Sequence, residues 1–352
     1  MAEPISSGSV SETPGRRPLT PKDFASDQRV RWCPGCGDFS VLSQLQKTLA
    51  SLGVPREKCV VVSGIGCSSR FPYYMATYGF HSIHGRAASV ATGVKLANPD
   101  LSVWVITGDG DGLAIGGNHM FHTLRRNVGV KIILFNNRIY GLTKGQSSPT
   151  SLPGAKTKTA PFGAFETPAN PVRFALGAGA TFVARSLVSD VNHLQEVLRK
   201  AADHPGTAFV EVYQNCVVFP EEELSRILDG STREDSVVRL EQGKPLVFGK
   251  NKDRGICWDG RVSEVVSFGS GKPPADLLIH DETAGPERAF LLSQFMLPDF
   301  PLPIGVFHRR EEPTHEQKMA DLTASVARKK GEDLGELLAG PDVWEVKPGN
   351  GQ

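Results

Sequence analysis

Residues 101–112 read LSVWVITGDGDG, and residues 130–137 read VKIILFNN. In both segments an almost unbroken apolar run ends in a cluster of Gly, Asp or Asn. Such apolar runs are typical of parallel strands that are covered on both faces, and the polar clusters predict tight turns. Residues 117–126, between them, have the apolar spacing of a helix. Strand, helix and strand in this order predict a parallel sheet with a crossover helix.

The same alternation continues in both directions along the chain. Apolar positions between Val41 and Leu52 follow helical spacing and stop at Gly53, a residue that commonly ends helices. The other elements predicted here are a strand at 60–62, a helix at 87–97, a strand at 181–184, a helix at 190–202 with Asp190 as its N-cap, and a strand at 207–213. We therefore expect an α/β fold, with helices on both faces of a parallel sheet.

The two ends of the chain differ from this central region in composition and in hydrophobic periodicity. Residues 1–25 contain four prolines and no hydrophobic periodicity, which predicts a flexible N-terminal arm. Residues 26–220 are expected to form the α/β domain. Residues 221–352 are expected to be a partly irregular C-terminal extension that contacts another subunit. Only three elements are predicted there, namely strands at 262–268 and 277–280 and a helix near 289–294.

Composition excludes several classes of partner. The 352 residues include 39 Lys and Arg and 38 Asp and Glu, which gives a net charge of +1. A chain with so little net positive charge does not attract nucleic acid or anionic lipid over its whole surface. No apolar run is long enough to span a membrane, and the N-terminus lacks the apolar core of a signal peptide. We expect a cytoplasmic protein that binds neither nucleic acid nor membranes. In that reducing compartment, clustered cysteines are expected to serve metal or redox chemistry, whereas Cys59 and Cys257, the two of the six that lie apart, are expected to be inert thiols.

Polar side chains follow the two strongest strands at the points where they end. Asp109 lies in the turn after the first strand, and Asn136 and Asn137 follow the second. Ligands of parallel sheets bind at the carboxyl ends of the strands, and carboxylate and amide oxygens suit Mg²⁺, which shares its coordination with phosphate oxygens. Either motif alone is commonly just a turn. Together they predict a diphosphate held through Mg²⁺.

Four of the cysteines form a second set. Cys33 and Cys36 are separated by two residues, Cys67 follows Gly-Ile-Gly, and Cys216 follows the last predicted strand. Four thiolates can hold either an iron–sulfur cluster or a structural zinc ion. Zinc ligands usually come as two local pairs, whereas only one pair is local here, which favours the cluster and leaves zinc as an alternative.

Taken together, these motifs resemble the β subunits of 2-oxoacid:ferredoxin oxidoreductases, most closely those of the 2-oxoglutarate type. Gly-Asp-Gly followed by Asn is similar to the thiamine diphosphate signature. The stretches that carry the resemblance are Cys-Pro-Gly-Cys-Gly (33–37), Gly-Ile-Gly-Cys-Ser (64–68), His84-Gly85-Arg86, Gly-Asp-Gly-Asp (108–111) and Asn-Asn-Arg-Ile-Tyr-Gly-Leu-Thr-Lys-Gly-Gln (136–146).

The resemblance implies a set of site residues. Asp109, the side chain of Asn137 and the main-chain carbonyl of Ile139 would hold Mg²⁺. One 4Fe-4S cluster would be held by Cys33, Cys36, Cys67 and Cys216. Contacts with thiamine diphosphate would come from Ile65, Gly66, Cys67, Ser68, His84, Gly108, Asp109, Gly110, Asp111, Asn137, Ile139, Gly141, Leu142 and Thr143.

Three basic residues are candidates for catalysis. His84 and Arg86 flank a glycine ahead of a helix, and Lys144 lies on the loop that leaves the metal site. In the functional interpretation, His84 contacts the cofactor or the reacting oxygens, and Arg86 contacts the substrate carboxylate or the diphosphate. Lys144 would contact the substrate carboxylate or coenzyme A. The alternative is that all three are solvated charges on surface loops.

The resemblance also implies an activity. It is the coenzyme A-dependent oxidative decarboxylation of 2-oxoglutarate to succinyl-CoA and CO₂, reversible in principle, with electrons passing through the cluster to ferredoxin. A partner α subunit, or a fused γα subunit, would supply the Glu that activates the cofactor, so this chain alone would be inactive. Three alternatives stay open: another 2-oxoacid such as pyruvate, a nonoxidative thiamine diphosphate decarboxylase or carboligase, and a noncatalytic zinc-stabilised subunit.

Overall fold

The computed structural model describes residues 17–269, 271–330, 333–344 and 346. Most of the predicted N-terminal arm therefore lies outside the described residues. Its last part is packed against the domain: Pro21–Phe24 form a 3-10 helix, and the side chain of Phe24 is fully buried. The hydrophobic core thus includes residues that the sequence analysis placed in the flexible arm.

The strands and helices of the described residues are numbered in chain order. The strands are β1 Cys59–Ser63, β2 Tyr78–His81, β3 Ser102–Gly108, β4 Val130–Asn136, β5 Ile139–Tyr140, β6 Gln146–Ser147, β7 Phe182–Leu187, β8 Ala208–Tyr213, β9 Val237–Leu240, β10 Val247–Phe248, β11 Arg254–Trp258, β12 Ser263–Ser267 and β13 Leu302–Arg309. The helices are α1 Asp38–Leu52, α2 Phe71–Tyr74, α3 Ala87–Ala97, α4 Asp109–Leu113, α5 Gly117–Arg126, α6 Pro171–Gly177, α7 Val191–Asp203, α8 Glu222–Leu228, α9 Arg233–Ser236, α10 Pro286–Leu292, α11 His315–Lys330 and α12 Leu334–Ala339.

Six strands form the parallel half of the main sheet, in the order β2-β1-β3-β4-β8-β7. The chain adds β2 on one side of β1 and then returns to add β3 on the other side. Strand order therefore reverses between β1 and β3, which creates a crevice at the carboxyl ends of these strands. The predicted parallel α/β architecture is confirmed.

The region after residue 220 is more regular than the sequence analysis expected. Five of its strands extend the same sheet beyond β7, in the order β13-β9-β10-β11-β12. β13 runs antiparallel to β7 and parallel to β9, and the remaining pairs are antiparallel. The strand predicted at 262–268 corresponds to β12. The segment predicted as a strand at 277–280 makes only isolated bridges, and the helix predicted near 289–294 begins earlier, as α10.

Helices cover both faces of the sheet, as the buried strands require. α1 and α7 pack on one face, and α3, α5, α6 and α10 pack on the other. α1 buries Val41, Leu45 and Leu49 and ends at Gly53, which has a left-handed φ of 67°. The predicted N-cap of α7 is confirmed, because the Asp190 side chain accepts a hydrogen bond from the His193 N–H. Among the described residues, no helix is both long and apolar enough to cross a membrane.

Candidate active site

A narrow cleft opens at the carboxyl ends of β1, β3, β4 and β8. It lies at the crevice where strand order reverses. The lining residues are Ile65, Gly66, Cys67, Ser68, Gly108, Asp109, Gly110, Asp111, Phe135, Asn137, Ile139, Tyr140, Gly141, Leu142, Thr143 and Gln214. The structure thus brings together every predicted cofactor-contacting residue except His84. Phe135, Tyr140 and Gln214 also line the cleft and were not predicted from the sequence, although Tyr140 lies within the stretch 136–146 that carries the family resemblance.

Asp109 is the first residue of α4 and has almost no contact with solvent. Its Oδ2 atom accepts hydrogen bonds from the hydroxyls of Ser148 at 2.5 Å and Thr150 at 2.6 Å. Burial raises the pKa of the Asp109 carboxyl to about 6, while these hydroxyls act in the opposite direction. A bound cation would stabilise the ionised form, so this carboxylate suits a metal site.

Asn137 and Ile139 line the same cleft as Asp109. The Asn137 Oδ1 atom accepts a hydrogen bond from the Ile139 N–H at 3.2 Å, which folds the loop after β4 back on itself. A carboxylate, an amide oxygen and a main-chain carbonyl are hard oxygen donors, the ligands that Mg²⁺ prefers. The residues present therefore fit the predicted magnesium site.

Asp111 organises the loops around the cleft. Its Oδ1 atom lies 2.7 Å from His84 Nδ1 and accepts a hydrogen bond from the Gly85 N–H at 2.7 Å. Its Oδ2 atom accepts from the Thr107 hydroxyl at 2.6 Å. A Cβ atom on Gly64 would come within 1.9 Å of the same carboxylate, so only glycine fits there. Asp111 thus connects His84, which does not line the cleft, to the cofactor site.

Tyr140 closes over the Gly-Asp-Gly turn. Its hydroxyl donates a hydrogen bond to the carbonyl oxygen of Gly110 at 2.8 Å. A Cβ atom on Gly110 would lie 2.3 Å from the tyrosine ring, so this glycine lets the ring approach the main chain. The pairing joins the loop after β4 to the turn after β3, and both loops line the cleft.

Arg86 and Lys144 lie outside the lining of the cleft. Arg86 directly precedes α3 and is half-buried. Lys144 is exposed, adopts a φ of 81° and donates its main-chain N–H to the carbonyl of Gly141 at 3.1 Å. The catalytic roles of both residues stay predictions.

The four cysteines of the predicted cluster occupy one neighbourhood. Burial raises the pKa of Cys36 to about 12, and the charges of Asp38, Cys67 and Cys216 act in the same direction. Burial likewise raises the pKa of Cys67 to about 11, and Cys33 contributes there. Thiolates this close together need a positively charged centre among them. This donor set therefore fits a metal centre.

The cysteine site adjoins the cleft. Cys67 itself lines the cleft, and Sγ of Cys216 lies 3.3 Å from the point where a Cβ atom on Gly141 would be. Within the described part of the chain, no three His, Cys, Asp or Glu side chains are close enough to share a single metal ion. A single zinc, with each sulfur at about 2.3 Å, needs more closely spaced ligands than a four-iron cluster does.

Comparisons with known proteins agree with this geometry. Residues 64–212 match the family described as thiamine pyrophosphate enzyme, C-terminal TPP binding domain. The chain is 48% identical to the 2-oxoglutarate oxidoreductase subunit KorB of Mycobacterium tuberculosis, over 94% of this chain and 89% of that protein. The chain belongs to the family of 2-oxoacid:ferredoxin oxidoreductase β subunits. Thiamine diphosphate is accordingly the cofactor of this enzyme family.

Two further relatives show how much of this β subunit is shared. It is 48% identical to the β subunit of 2-oxoacid:ferredoxin oxidoreductase 1 of Aeropyrum pernix, but over only 53% of this chain and 59% of that protein. A solved structure has a TM-score of 0.74 and 34% identity, and the match covers 91% of this chain and 95% of that chain. Its description reads 2-oxoglutarate:ferredoxin oxidoreductase from Magnetococcus marinus with 2-oxoglutarate, coenzyme A and succinyl-CoA bound.

Proposed function

We propose that this β subunit serves the coenzyme A-dependent oxidative decarboxylation of 2-oxoglutarate to succinyl-CoA and CO₂, with ferredoxin as electron acceptor. The observation that carries the proposal is the direct contact between a cleft with magnesium-type ligands and a four-cysteine site. The choice of 2-oxoglutarate is supported by the names of the mycobacterial relative and of the Magnetococcus enzyme. The reaction is reversible in principle.

Within the cleft, Asp109, the side chain of Asn137 and the carbonyl of Ile139 would hold Mg²⁺, and through it the diphosphate. Thiamine diphosphate, when bound, supplies the carbanion chemistry that decarboxylation of a 2-oxoacid requires. Tyr140 and the glycine turn that it covers would shape the wall of the site. The remaining predicted cofactor contacts would exclude water from the reacting atoms.

His84 is placed to move a proton. Its Nδ1 atom faces Oδ1 of Asp111, which also accepts the Gly85 N–H. A carboxylate acceptor places the imidazole proton on Nδ1, so the other ring nitrogen, Nε2, is free to accept a proton. The ring is partly exposed, and its centroid lies 6.3 Å from that of Tyr140, which lines the cleft, so His84 would serve a reacting group on that side.

The cysteine site would hold one 4Fe-4S cluster through Cys33, Cys36, Cys67 and Cys216. Cys67 belongs to both the cysteine site and the cofactor cleft, which makes the path for electrons short. Cys33 is exposed, so the opposite side of the cluster would face solvent and could transfer electrons to ferredoxin.

The edge of the sheet beside the cleft is suited to a partner subunit. All four residues of the edge strand β2 are exposed, and they include Tyr78 at 65% and Phe80 at 47% of their surface. Ile83, next to His84, is 76% exposed. Exposed apolar residues grouped in this way mark interaction sites. We assign this edge to the α or fused γα subunit, and we place the enzyme in the cytoplasm.

The domain proposal follows from the same arrangement. Residues 26–220 would bind both cofactors, and residues 221–352 would provide subunit contacts. The described part of that extension also completes the main sheet, so it has a structural role as well.

The activity can be tested by coexpression with a candidate large subunit under anaerobic conditions. The purified complex should show broad absorbance near 400 nm, release thiamine diphosphate on denaturation, and reduce a viologen dye when given coenzyme A and 2-oxoglutarate. Pyruvate and branched-chain 2-oxoacids serve as comparison substrates. A colourless complex that decarboxylates without the dye would instead identify a nonoxidative enzyme.

Lys144 provides a test of substrate choice. Replacing Lys144 with Ala should raise KM for 2-oxoglutarate roughly 10-fold or more while changing KM for pyruvate little, because only 2-oxoglutarate has a second carboxylate to pair with the ammonium. Lys144→Arg keeps the charge and is the matched control. Equal losses with both substrates would contradict the assignment.

A further inference from the structure

A continuous chain of buried polar side chains runs through the sheet to Asp109. Its members are Arg185 on β7, Glu211 on β8, Asn136 at the end of β4, and Thr150 on the loop that follows β6. None of the four is more than 3% exposed. Because buried polar groups are costly unless they are paired, the contacts along this chain indicate what it supports.

Glu211 accepts a hydrogen bond from each of its two neighbours in this chain. Arg185 Nε donates to Glu211 Oε2 at 2.7 Å, and Asn136 Nδ2 donates to Glu211 Oε1 at 2.7 Å. The Thr150 hydroxyl lies 3.0 Å from Asn136 Oδ1 and 2.6 Å from Asp109 Oδ2. The donor role of Asn136 toward Glu211 fixes the orientation of its amide. Its oxygen must therefore face Thr150.

Asp109 receives two hydroxyls on the same oxygen atom. Ser148 and Thr150 both approach Oδ2, at 2.5 and 2.6 Å. No side chain among the described residues donates to Oδ1 within hydrogen-bonding distance. Oδ1 therefore has no side-chain partner among the described residues, and the main-chain N–H groups of Asp109 and Gly110 also help to hold this buried carboxylate.

We propose that Ser148 and Thr150 are positioning residues that hold Oδ2 of Asp109, so that Oδ1 alone binds the divalent cation. The Thr150 hydroxyl has one proton, which it donates to Asp109 Oδ2. Asn136, oriented by Glu211, packs its amide oxygen 3.0 Å from that hydroxyl. This inference rests on the magnesium site proposed above and deepens it, because it assigns the metal to one oxygen and names the residues that orient it.

The expected loss of metal affinity can be taken from other residues that orient metal ligands. Removing such a partner typically lowers metal affinity 10- to 100-fold. Changes at Arg185 or Glu211 are poor tests, because breaking a buried ion pair would destabilise the fold. Thr150→Val removes only the hydroxyl from a side chain of similar shape, and Thr150→Ser retains it.

The experiment measures metal affinity in the assembled complex with its partner subunit. The complex is freed of metal, supplied with thiamine diphosphate, and titrated with Mn²⁺ while electron paramagnetic resonance reports the free ion. Thr150→Val should bind Mn²⁺ about 10- to 100-fold more weakly than the unmodified protein, and Thr150→Ser should bind it with nearly the original affinity. Thermal melting without metal monitors the fold of each variant.

Thr181→Val is the matched control. Thr181 is fully buried and donates to Asn127 Oδ1 at 2.7 Å. It directly precedes β7, so it lies at the amino-terminal ends of the parallel strands, far from the cleft at their carboxyl ends. This variant should melt at a lower temperature and bind Mn²⁺ normally. A Thr150→Val protein that binds Mn²⁺ normally, or a Thr150→Ser protein as weak as Thr150→Val, would overturn the inference.

Asp109→Asn separates this inference from the magnesium site itself. Asp109→Asn should bind Mn²⁺ far more weakly than any Thr150 variant. If Asp109→Asn binds Mn²⁺ normally, the magnesium site and this inference both fail. If Asp109→Asn loses the ion and Thr150→Val does not, only the positioning role fails.

Discussion

At the residue scale, buried charged groups of opposite sign lie at the two ends of the parallel strands. The cofactor end holds the carboxylates Asp109 and Asp111, whereas the other end holds Lys131, His204 and Thr181. Lys131 donates to the carbonyl oxygens of His204 and of Gly206, and burial lowers its pKa to about 7. Buried acids thus lie where a cation is proposed to bind, while the far end pairs its polar groups within the protein.

His204 should make stability depend on pH. Burial lowers its pKa from 6.5 to about 3, and the charge of Lys131 adds to the effect. Between these values the unfolded chain binds a proton at His204 that the folded protein does not. The contribution of His204 to the free energy of unfolding is therefore complete above pH 6.5 and decreases as the pH falls below it. The loss from this residue should reach about 2 kcal/mol at pH 5.

Chemical unfolding of the isolated β subunit between pH 7 and pH 5 measures this contribution. In His204→Gln, which has no proton to gain, the decline should be smaller by about that 2 kcal/mol. Gln can still form a hydrogen bond with Thr181, which lies 2.8 Å from the His204 ring nitrogen Nε2. Identical pH dependence in both proteins would contradict the expectation.

At the element scale, β13 joins the two halves of the sheet. It comes from residues 302–309 and lies between β7 and β9. Its main chain accepts from Arg185 through the Pro303 carbonyl at 3.3 Å, and its Phe307 ring lies 5.2 Å from the Arg185 guanidinium. The buried pair of Arg185 and Glu211 therefore depends on a strand that is far away in sequence.

Two truncations test the role of β13. A chain that stops after residue 330 retains β13 and α11, and it should melt cooperatively at nearly the temperature of the full chain, since α12 has no buried residues. A chain that stops after residue 300 should be insoluble or lack a cooperative transition, because the edge of β7 and the side chain of Arg185 are uncovered. Circular dichroism melting and solubility measure both outcomes. Cooperative unfolding of the shorter chain would show that β13 is dispensable.

At the scale of the whole molecule, the two outermost strands of the main sheet, β2 and β12, have different surroundings. The β2 edge lies beside the cofactor cleft and exposes Tyr78 and Phe80, and the other edge ends at β12. The cofactor cleft thus opens beside exposed apolar residues. This arrangement fits a catalytic site that is closed by another subunit.

Phe80→Glu should weaken association with the large subunit. A buried charge at the centre of an interface typically costs 2 kcal/mol or more, so the Kd should rise roughly 30-fold. The melting temperature of the isolated chain should change little, because Phe80 is exposed there. Val262→Glu, at a residue 65% exposed beside the opposite edge, is the matched control. Analytical ultracentrifugation of mixtures measures the Kd, and equal affinity of both variants would remove β2 from the interface.

The local sequence pattern was sufficient to predict five of the six parallel strands, and it gave no prediction for β2. Apolar runs such as Val130–Asn136 and stop signals such as Gly53 act over a few residues, so they can be read without distant contacts. The meeting of Asp109 and Asn137 was predictable for a related reason: parallel strands end at one edge, so turns distant in sequence must meet there. The other cofactor contacts were implied by the family resemblance.

Other features depended on contacts between distant residues. β13 contains Pro303 and Gly305, which argue against a central strand. It forms nonetheless, and Gly305 is needed because a Cβ atom there would come within 2.7 Å of the Leu240 carbonyl oxygen. The sequence by itself therefore determined all the parallel strands but β2, most of the helices on them, and the meeting of Asp109 and Asn137 at their carboxyl ends. Only the tertiary structure decided the extension of the sheet and the chain of contacts that ends at Asp109, because each depends on pairing between segments that have no local signal for one another.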